Sequence, residues 1–464
     1  MKTKFQQWQA KLRGLHTRHL PRGSIRRSIV SGGFWSLAGS VFSKICGLLG
    51  SIIFVRLLGK TDFGKWSLIL TTVAMFAQYA GLGLSTPIVR YMALLKDKDP
   101  KRAGSVLSFC MLFGIGGTIM MSLVCFCGAK WLANSFYSAP ELFMPISIAS
   151  IFLFFMVMAT FVQNALAGFE DFRSIAMTNI IQGLAILVVI VPLTARFGLV
   201  GIVAGWSASY AIAMAVCFNA LRKNCNKRGI HFHIRGIWRE GHLLWRYVLP
   251  GLTTTLVTAP ATAMSQAMVA NIPGGFSGLG SYGVAASWQG VVAFVPQNMR
   301  TITLPMLSRL HGEGNHRRFL KALWANIGLN GGIALFCGLP LMAMSPWILS
   351  LYGPDFRQDW DILVILIGTV VFQAINDVVT QVTAALEKMW WNLFVHIIWA
   401  TVLVGGSFLL IQNHGVRGYV WAIALATFCH MCINSVASLI WLKKDAFIEV
   451  QSKADGQMIS QAEF

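Results

Sequence analysis

The sequence predicts an all-α polytopic membrane protein of about 12 transmembrane helices, arranged as two six-helix halves. Three observations lead to this prediction: apolar runs long enough to cross a bilayer, an uneven placement of Lys and Arg, and an internal repeat. Of the 464 residues, 55% are hydrophobic and 12% are charged, and the mean hydropathy is +0.62. Soluble domains carry about 25% charged residues. The composition therefore excludes a chain built of soluble domains alone.

The apolar runs define the expected helices, because a helix needs about 20 apolar residues to cross the hydrocarbon core. They cover residues 30–56, 65–89, 104–128, 142–167, 174–195, 199–220, 246–271, 281–307, 320–344, 361–385, 391–411 and 417–440. The first run follows a basic segment without a small-residue cleavage site, so we interpret it as a retained anchor and not as a signal peptide.

The predicted organisation has two lobes with basic segments around them. We expect a basic N-terminal segment at residues 1–27, a first lobe at 28–222, a basic linker at 223–245, a second lobe at 246–442 and a C-terminal tail at 443–464. Short links such as residues 59–64 are expected to be tight turns between consecutive helices.

Basic residues favour one orientation in the membrane. With both termini in the cytoplasm, 30 of the 38 Lys and Arg residues lie on the cytoplasmic side, 7 lie on the other side, and Lys44 lies inside a helix. This is the bias that the positive-inside rule predicts. The net charge of +21 therefore indicates topology and attraction to anionic lipid, and it requires no nucleic acid. Residues 4–18 and 230–245 fit either amphipathic surface helices or solvated basic loops.

Matching motifs recur at offsets of 215 to 219 residues, which indicates an internal repeat. The pairs are Phe63–Gly64 with Tyr282–Gly283, residues 131–137 with 347–352, Gly198–Gly201 with Gly415–Gly418, and Arg90 with Arg309. Each half holds an even number of crossings, so the halves have the same orientation and a pseudo-two-fold axis along the membrane normal. Parallel repeats of this kind suit a transporter whose path lies between the lobes.

Several motifs carry a family resemblance. They are Gly33–Trp35, Val55–Gly59, Asp62–Trp66, Gly81–Gly83, Arg90 and Leu351–Phe356. Together they resemble the bacterial O-antigen and polysaccharide flippases of the multidrug/oligosaccharidyl-lipid/polysaccharide (MOP) exporter superfamily. The resemblance covers nearly the whole chain. Its motifs are turns and packing glycines, which specify the fold better than the substrate.

This resemblance implies a two-lobed exporter with the MATE-like fold of the superfamily. The implied cargo is an undecaprenyl-pyrophosphate-linked oligosaccharide, moved from the cytoplasmic to the periplasmic leaflet of the bacterial inner membrane without a cofactor. A polysaccharide polymerase and other assembly proteins are further expected partners. Lipid II flippases of the superfamily are similar but usually carry two more helices, and the sequence offers no convincing thirteenth or fourteenth.

Lys44 is the first candidate for transport, because an ionisable group at membrane depth is costly. It lies near the middle of the first helix, on a face that it shares with Ser36, Ser40, Gly47 and Ser51. One interpretation is a lumen cation that meets a pyrophosphate or an acidic sugar. The other is a structural ion pair inside the lobe.

Two arginines are further candidates for binding the substrate. Arg300 lies nine residues deeper than Arg309 and has no repeat partner. The fork of a guanidinium suits phosphate oxygens, so Arg300 is expected to capture phosphate from the cytoplasmic side. Alternatively, Arg300 is one of the basic residues that only fix the orientation of the helices in the membrane. Arg56, at the far end of the first helix, is a weaker candidate for the exit side.

Polar stripes on two later helices predict the wall of a wet cavity. Asp377 shares a helix face with Thr369, Gln373 and Gln381, and it is either a proton or sodium site or the counter-ion of Arg300 or Lys44. Thr258 and Thr262 belong to a hydroxyl stripe on the seventh helix. Prolines at positions 250 and 260 lie on the same helix and allow a kink there.

Other classes of protein fit the sequence less well. Gly59-Lys60-Thr61 lacks the upstream glycine of a phosphate-binding loop. His396 and His430 stand alone in the sequence, without the clustered nucleophile, base or metal ligands that an enzyme needs. The main rival is a cation-coupled multidrug exporter, which binds cations with carboxylates inside its lobes. Lys44 in the first half favours an anionic substrate instead. A non-transporting scaffold would not need the polar stripes.

Overall fold

Most of the predicted membrane region is described by a computed structural model of the chain. It describes the backbone of residues 25–81, 83–231, 241, 249–313, 316–386 and 388–462. Side chains are described for the same residues except 25–36, 249–253, 300–302, 304, 305, 311, 316, 389 and 443–462. The predicted surface helix at residues 4–18 and nearly all of the one at 230–245 lie outside the described residues.

Fourteen α-helices make up the described part of the chain. They are α1 (Ile25–Ala80), α2 (Ser85–Leu95), α3 (Pro100–Trp131), α4 (Phe143–Gly168), α5 (Phe172–Ala185), α6 (Val191–Lys227), α7 (Leu249–Ala270), α8 (Gly275–Val292), α9 (Phe294–Gly312), α10 (His316–Ala343), α11 (Ser345–Ser350), α12 (Trp360–Ala385), α13 (Met389–His414) and α14 (Val416–Ala462). Short π-helical segments, Leu132–Phe136 and Ile186–Ile190, follow α3 and α5, and 3₁₀ turns, Pro140–Leu142 and Pro354–Asp359, precede α4 and α12.

Eight helical stretches among the described residues are long and apolar enough to cross a membrane. Two of them, Leu37–Ala80 with 44 residues and Phe172–Lys227 with 56, are too long for one crossing of a core about 30 Å thick. Each contains a glycine outside the helical conformation, Gly59 in the first and Gly198 in the second. Each long stretch therefore holds two of the predicted crossings. The total of twelve stays a prediction, because α7, α8 and α9 are not among the eight.

Some predicted boundaries were wrong, and backbone chemistry explains why. The run predicted at 65–89 is divided, because α1 ends at Ala80 and Gly83 has a φ of +62° before α2 begins. The run at 281–307 is divided near Ala293, because Pro296 has no N–H to donate to the preceding turn. The predicted linker and tail begin as helix, since α6 continues to Lys227 and α14 continues past residue 443.

The helices pack in two bundles that follow the order of the chain. Helices α1 to α6, the first bundle, pack mainly with one another, and helices α7 to α14, the second bundle, do the same. The extensive contacts between the bundles are made by α1 against α7 and α8. The α1–α8 contact is therefore the part of the fold that positions one bundle on the other.

The backbone repeats where the sequence predicted a repeat. Gly198 has φ 55° and ψ −131°, and its predicted partner Gly415 has φ 57° and ψ −135°. A Cβ atom on Gly201 would overlap the carbonyl oxygen of Leu193, and one on Gly418 would overlap that of Leu410. Both halves therefore contain the same turn between two helices. In each half, a glycine three residues after the turn lies in close contact with the backbone of the preceding helix.

Alanine at either turn should destabilise the fold. Gly198→Ala and Gly415→Ala each place a Cβ in a conformation that only glycine adopts readily, at a cost of about 1–3 kcal/mol. We expect a lower Tm for each variant in detergent, measured by tryptophan fluorescence. Gly405→Ala is the matched control, since Gly405 is helical and a Cβ there meets nothing within 4 Å. An unchanged Tm for both turn variants would contradict this account.

Candidate functional site

The bundles approach most closely where two glycines face each other. A Cβ atom on Gly64 of α1 would overlap the carbonyl oxygen of Phe276, and one on Gly280 of α8 would overlap that of Lys60. Only residues without a side chain allow the two backbones to lie this close. We call this region the joined end. It consists of residues 51–65 of α1 with residues 271–288 and 351–359 of the second bundle.

Asp359 is the centre of an ionic network at the joined end. Its carboxylate accepts a hydrogen bond from Lys60 of the first bundle at 2.6 Å and one from the Ser281 hydroxyl at 2.6 Å. The side chains of Lys60 and Asp359 are each 13% exposed. Arg417 lies 3.7 Å from the same carboxylate and pairs with Asp361 at 2.6 Å. A part-buried pair of this kind is worth more than an exposed one, because little water screens it.

Further hydrogen bonds across the joined end come from α1. The Arg56 guanidinium donates two hydrogen bonds to the carbonyl oxygen of Leu351, at 2.9 and 3.1 Å. The hydroxyls of Ser51 and Tyr352 lie 3.0 Å apart, and the indole N–H of Trp288 donates to the same tyrosine at 3.0 Å. Arg56, predicted as a residue of the exit side, therefore takes part in holding the bundles together here.

Lys44 lies deeper in the interface, about 10 Å along α1 from Ser51. Its ammonium nitrogen is 4.0 Å from the position that a Cβ would occupy at Gly290 of the second bundle. Lys44 is exposed and forms no hydrogen bond or ion pair within the described part of the chain. The alternatives of a structural ion pair and of Asp377 as its counter-ion are therefore not seen among those residues.

The second bundle presents amides and hydroxyls at the level of Lys44. Gln289, next to Gly290, donates a hydrogen bond to the hydroxyl of Thr369 at 3.0 Å. Thr369 begins the polar face of α12 that the sequence predicted. Further along this face, Gln373 and Asp377 are half-buried and Gln381 is buried. The structure thus brings the start of that face close to the cation of the first bundle.

The other predicted site residues have mixed positions. Thr258 and Thr262 are half-buried, and each hydroxyl donates to the backbone carbonyl four residues earlier. The hydroxyl of Ser40 accepts a hydrogen bond from Asn179 at 3.2 Å, so this contact stays within the first bundle. Arg300 belongs to α9, and its side chain lies outside the described residues.

A cavity of about 420 Å³ lies at the C-terminal end of α1. It is lined mainly by the first bundle, with Gln78, Thr160 and Tyr210 among its polar residues, and by Thr255 of α7. The Tyr79 hydroxyl donates to the carbonyl oxygen of Thr255 at 3.4 Å. Sequence reasoning did not predict these residues, because only packing brings α4, α6 and α7 to one place.

One prediction about histidines was wrong. His396 and His430 do not stand alone, since their rings lie 4.7 Å apart between α13 and α14. Asn376 lies 2.9 Å from Nδ1 of His430, and Asn434 is 3.0 Å from Asn376. The described residues contain no group of three or more side chains that could hold a metal ion. This polar cluster therefore joins three helices inside the second bundle.

Solved structures of one transporter superfamily share this architecture. An inward-facing multidrug resistance MATE family transporter of the MOP superfamily has a TM-score of 0.70 at 15% identity and covers 89% of this chain and 98% of its own. A MOP superfamily transporter from Pyrococcus furiosus, whose reversed binding-pocket polarity suggests a different function, has a TM-score of 0.67 at 17% identity and covers 92% and 97%. The chain thus shares the fold of these transporters.

Sequence comparison assigns the chain to a family. Residues 29–311 match the family described as polysaccharide biosynthesis protein, and the chain belongs to that family. It is 22% identical over 422 residues to the EPS I polysaccharide export inner membrane protein EpsE of Ralstonia nicotianae, covering 88% of this chain and 92% of that protein. EpsE of Ralstonia solanacearum is also 22% identical, over 405 residues. The predicted family is confirmed, and so is the prediction that the protein is a transporter and not an enzyme.

Asp359 is a further site residue that the sequence did not predict. The motifs that carried the resemblance, Val55–Gly59 and Leu351–Phe356, meet across the joined end, and Asp359 follows the second motif by three residues. The one sequence feature that could have indicated Asp359 is the scarcity of carboxylates, since the chain has only 17 Asp and Glu residues. Nothing in the sequence indicates that Lys60 is its partner, because 299 residues separate them.

Gly64→Ala should open the joined end. The added methyl overlaps the Phe276 carbonyl, and overpacking of this kind costs about 1–3 kcal/mol. That cost shifts a two-state equilibrium by about 5- to 150-fold. We expect a larger population of long distances between spin labels at exposed Asn134 and Asn413, attached through unnatural amino acids and measured by pulsed electron resonance.

Gly128→Ala is the control for this measurement. Gly128 lies near the end of α3 that is closest to Asn134, and a Cβ at Gly128 would meet nothing within 4 Å. Wild-type distances in a well-folded Gly64→Ala protein would show that the glycine contact does not hold this end closed.

Proposed function

We propose that this chain is a flippase for undecaprenyl-pyrophosphate-linked oligosaccharide repeat units, such as those of O-antigen or a related surface polysaccharide. It moves them from the cytoplasmic to the periplasmic leaflet of the bacterial inner membrane. The observation that carries the proposal is the position of Lys44, an exposed cation between the bundles beside Gly290. A pyrophosphate is the anion that such a cation would bind in a wet interface.

Family membership supports a polysaccharide substrate. The relatives in two Ralstonia species are described as inner membrane proteins for the export of EPS I polysaccharide. The chain covers most of their length, and the family match includes the helix that carries Lys44. A cationic interface is also the simplest way to prefer an anionic lipid carrier over a cationic drug.

The distribution of Lys and Arg residues suggests which end of the interface faces the cytoplasm. If the side richer in Lys and Arg is cytoplasmic, the joined end faces the periplasm. The lipid-linked unit would then be loaded from the opposite, cytoplasmic side. Arg300 would capture phosphate near that entrance, and Lys44 would hold it at mid-membrane. Asp377 would bind a coupling proton or sodium ion, or act as the counter-ion of Arg300.

Release on the other side requires the joined end to separate. Separation breaks the Lys60–Asp359 pair and the hydrogen bonds from Arg56 to Leu351. Both sets of groups lie near the kink of α1 at Gly59. Substrate binding can drive this separation only if the substrate binds the separated state more tightly, by at least the free energy that these contacts contribute.

A multidrug exporter is the second candidate, because MATE transporters share the fold. A lipid II flippase of the same superfamily is the third. The carboxylate that would serve a cationic drug is Asp377, whereas Lys44 would repel such a substrate. The phenotype of a deletion strain can therefore distinguish these three functions, because loss of each kind of transporter causes a different defect.

Deletion of the gene should abolish surface polysaccharide and trap lipid-linked oligosaccharide at the cytoplasmic face. The measurement combines surface polysaccharide, the lipid-linked pool and sensitivity to cationic drugs in one strain. Intact polysaccharide with new drug sensitivity would favour the multidrug exporter. A peptidoglycan defect with intact polysaccharide would favour lipid II.

Lys44→Ala should reduce transport in the complemented strain by about 10- to 150-fold, because a hydrogen bond to a charged group contributes about 1.5–3 kcal/mol. Lys44→Arg should keep most of the activity, since it retains the charge. Lys130→Ala is the matched control, because Lys130 is an exposed cation outside the interface. Wild-type polysaccharide from Lys44→Ala at equal protein level would remove Lys44 from the substrate path.

A further inference from the structure

A second cavity lies within the first bundle, at the end opposite the joined end. Its volume is about 600 Å³, and it separates the last turns of α6 from the segment that joins α4 to α5. Met177 lines it from α5, and Val216, Asn219, Lys223 and Lys227 line it from α6. The four α6 residues are spaced by three or four positions, so they share one face of the helix.

This face changes from apolar to cationic along its length. From Val216 to Lys227 the helix rises about 16 Å. Val216 and Met177 lie at the end nearer the middle of the bundle, and Met177 is 60% exposed. Close by along α6, Phe218 is 46% exposed, as expected for a surface that faces lipid. The cavity therefore continues the lipid-facing surface and ends in positive charge.

Most charges around the cavity already have partners. Lys96 pairs with Glu170 at 2.7 Å, and Asn224 donates a hydrogen bond to Asp171 at 2.7 Å. Arg228 pairs with Asp97 at 3.2 Å. Lys96 thus compensates the charge of Glu170, and Asp97 compensates that of Arg228. Asp171 is satisfied by hydrogen bonds from neutral groups and keeps its negative charge.

Two lysines remain without compensation. Lys223 and Lys227 are exposed, lie one helical turn apart, and have no ion pair or hydrogen bond among the residues that the structure describes. The amide of Asn219 is also exposed and lies one turn earlier on the same face. Together they present two charges and an amide to a single bound anion.

We propose that this cavity binds an anionic phospholipid. The phosphate lies at Lys223 and Lys227, the amide of Asn219 contacts the glycerol region, and an acyl chain lies along Val216 and Met177. An amphiphile fits because the cavity is apolar toward the bundle centre and cationic at the membrane surface. The site lies within one bundle, so it does not depend on the transport function proposed above.

Native mass spectrometry of the purified full-length protein tests this site. The protein is titrated with phosphatidylglycerol, with zwitterionic phosphatidylethanolamine and with inorganic phosphate. Lys223→Gln/Lys227→Gln should bind phosphatidylglycerol about 25-fold more weakly, because each lysine near an anionic surface contributes about 1 kcal/mol. The control, Lys98→Gln/Lys101→Gln, removes two exposed charges at the same end of the bundle outside the cavity.

A second variant separates the cavity from surface charge. Ala220→Leu fills the space between the helices and leaves both lysines in place. We expect it to weaken phosphatidylglycerol binding while the protein stays monodisperse. Equal binding in the lysine variant and its control would overturn the proposal. So would unchanged binding in Ala220→Leu, or inorganic phosphate that binds at the same lysines as tightly as the lipid.

Discussion

The close approach of two glycine-bearing helices governs the rest of the structure. Gly64 and Gly280 let the backbones of α1 and α8 touch, and a single methyl group at either position would separate them. This contact places Lys60 within 2.6 Å of Asp359 and Arg56 within reach of Leu351. These polar bonds therefore follow from the backbone contact. They form because the helices meet closely enough to exclude most of the water between them.

The charged groups at the joined end and those near Lys44 have different surroundings. At the joined end, Lys60 and Arg417 lie within reach of the carboxylates Asp359 and Asp361. Lys44, about 18 Å further along α1 than Arg56, lies beside an uncharged glycine and near the Gln289–Thr369 hydrogen bond. A paired cation stabilises one arrangement of the bundles. Lys44 has no ion pair within the described ranges of the chain, which is consistent with the anion-binding role that we propose for it.

The internal repeat supplies the scaffold but not the chemistry. Gly198 and Gly415 adopt the same backbone conformation, so both halves turn between helices in the same way. Side chains differ between the halves. At an offset of 219 residues Lys44 corresponds to Ala263, which is buried. The second bundle has instead an interior cluster in which His430 contacts Asn376 and His396. The two bundles thus share a turn geometry but differ in their interior polar side chains.

The sequence by itself determined the class of fold, because apolar runs and the placement of Lys and Arg respond directly to the solvent, and here the solvent is a bilayer. It also identified the repeat turns, since glycines that adopt special backbone conformations leave local signals, and it made Lys44 a candidate because a charge within an apolar run is unusual. Only the tertiary structure decided which residues meet. The Lys60–Asp359 pair spans 299 residues, and the cavity beside Lys223 forms only when α5 and α6 pack. Such contacts depend on how helices are placed in three dimensions, and helical periodicity carries no information about that placement.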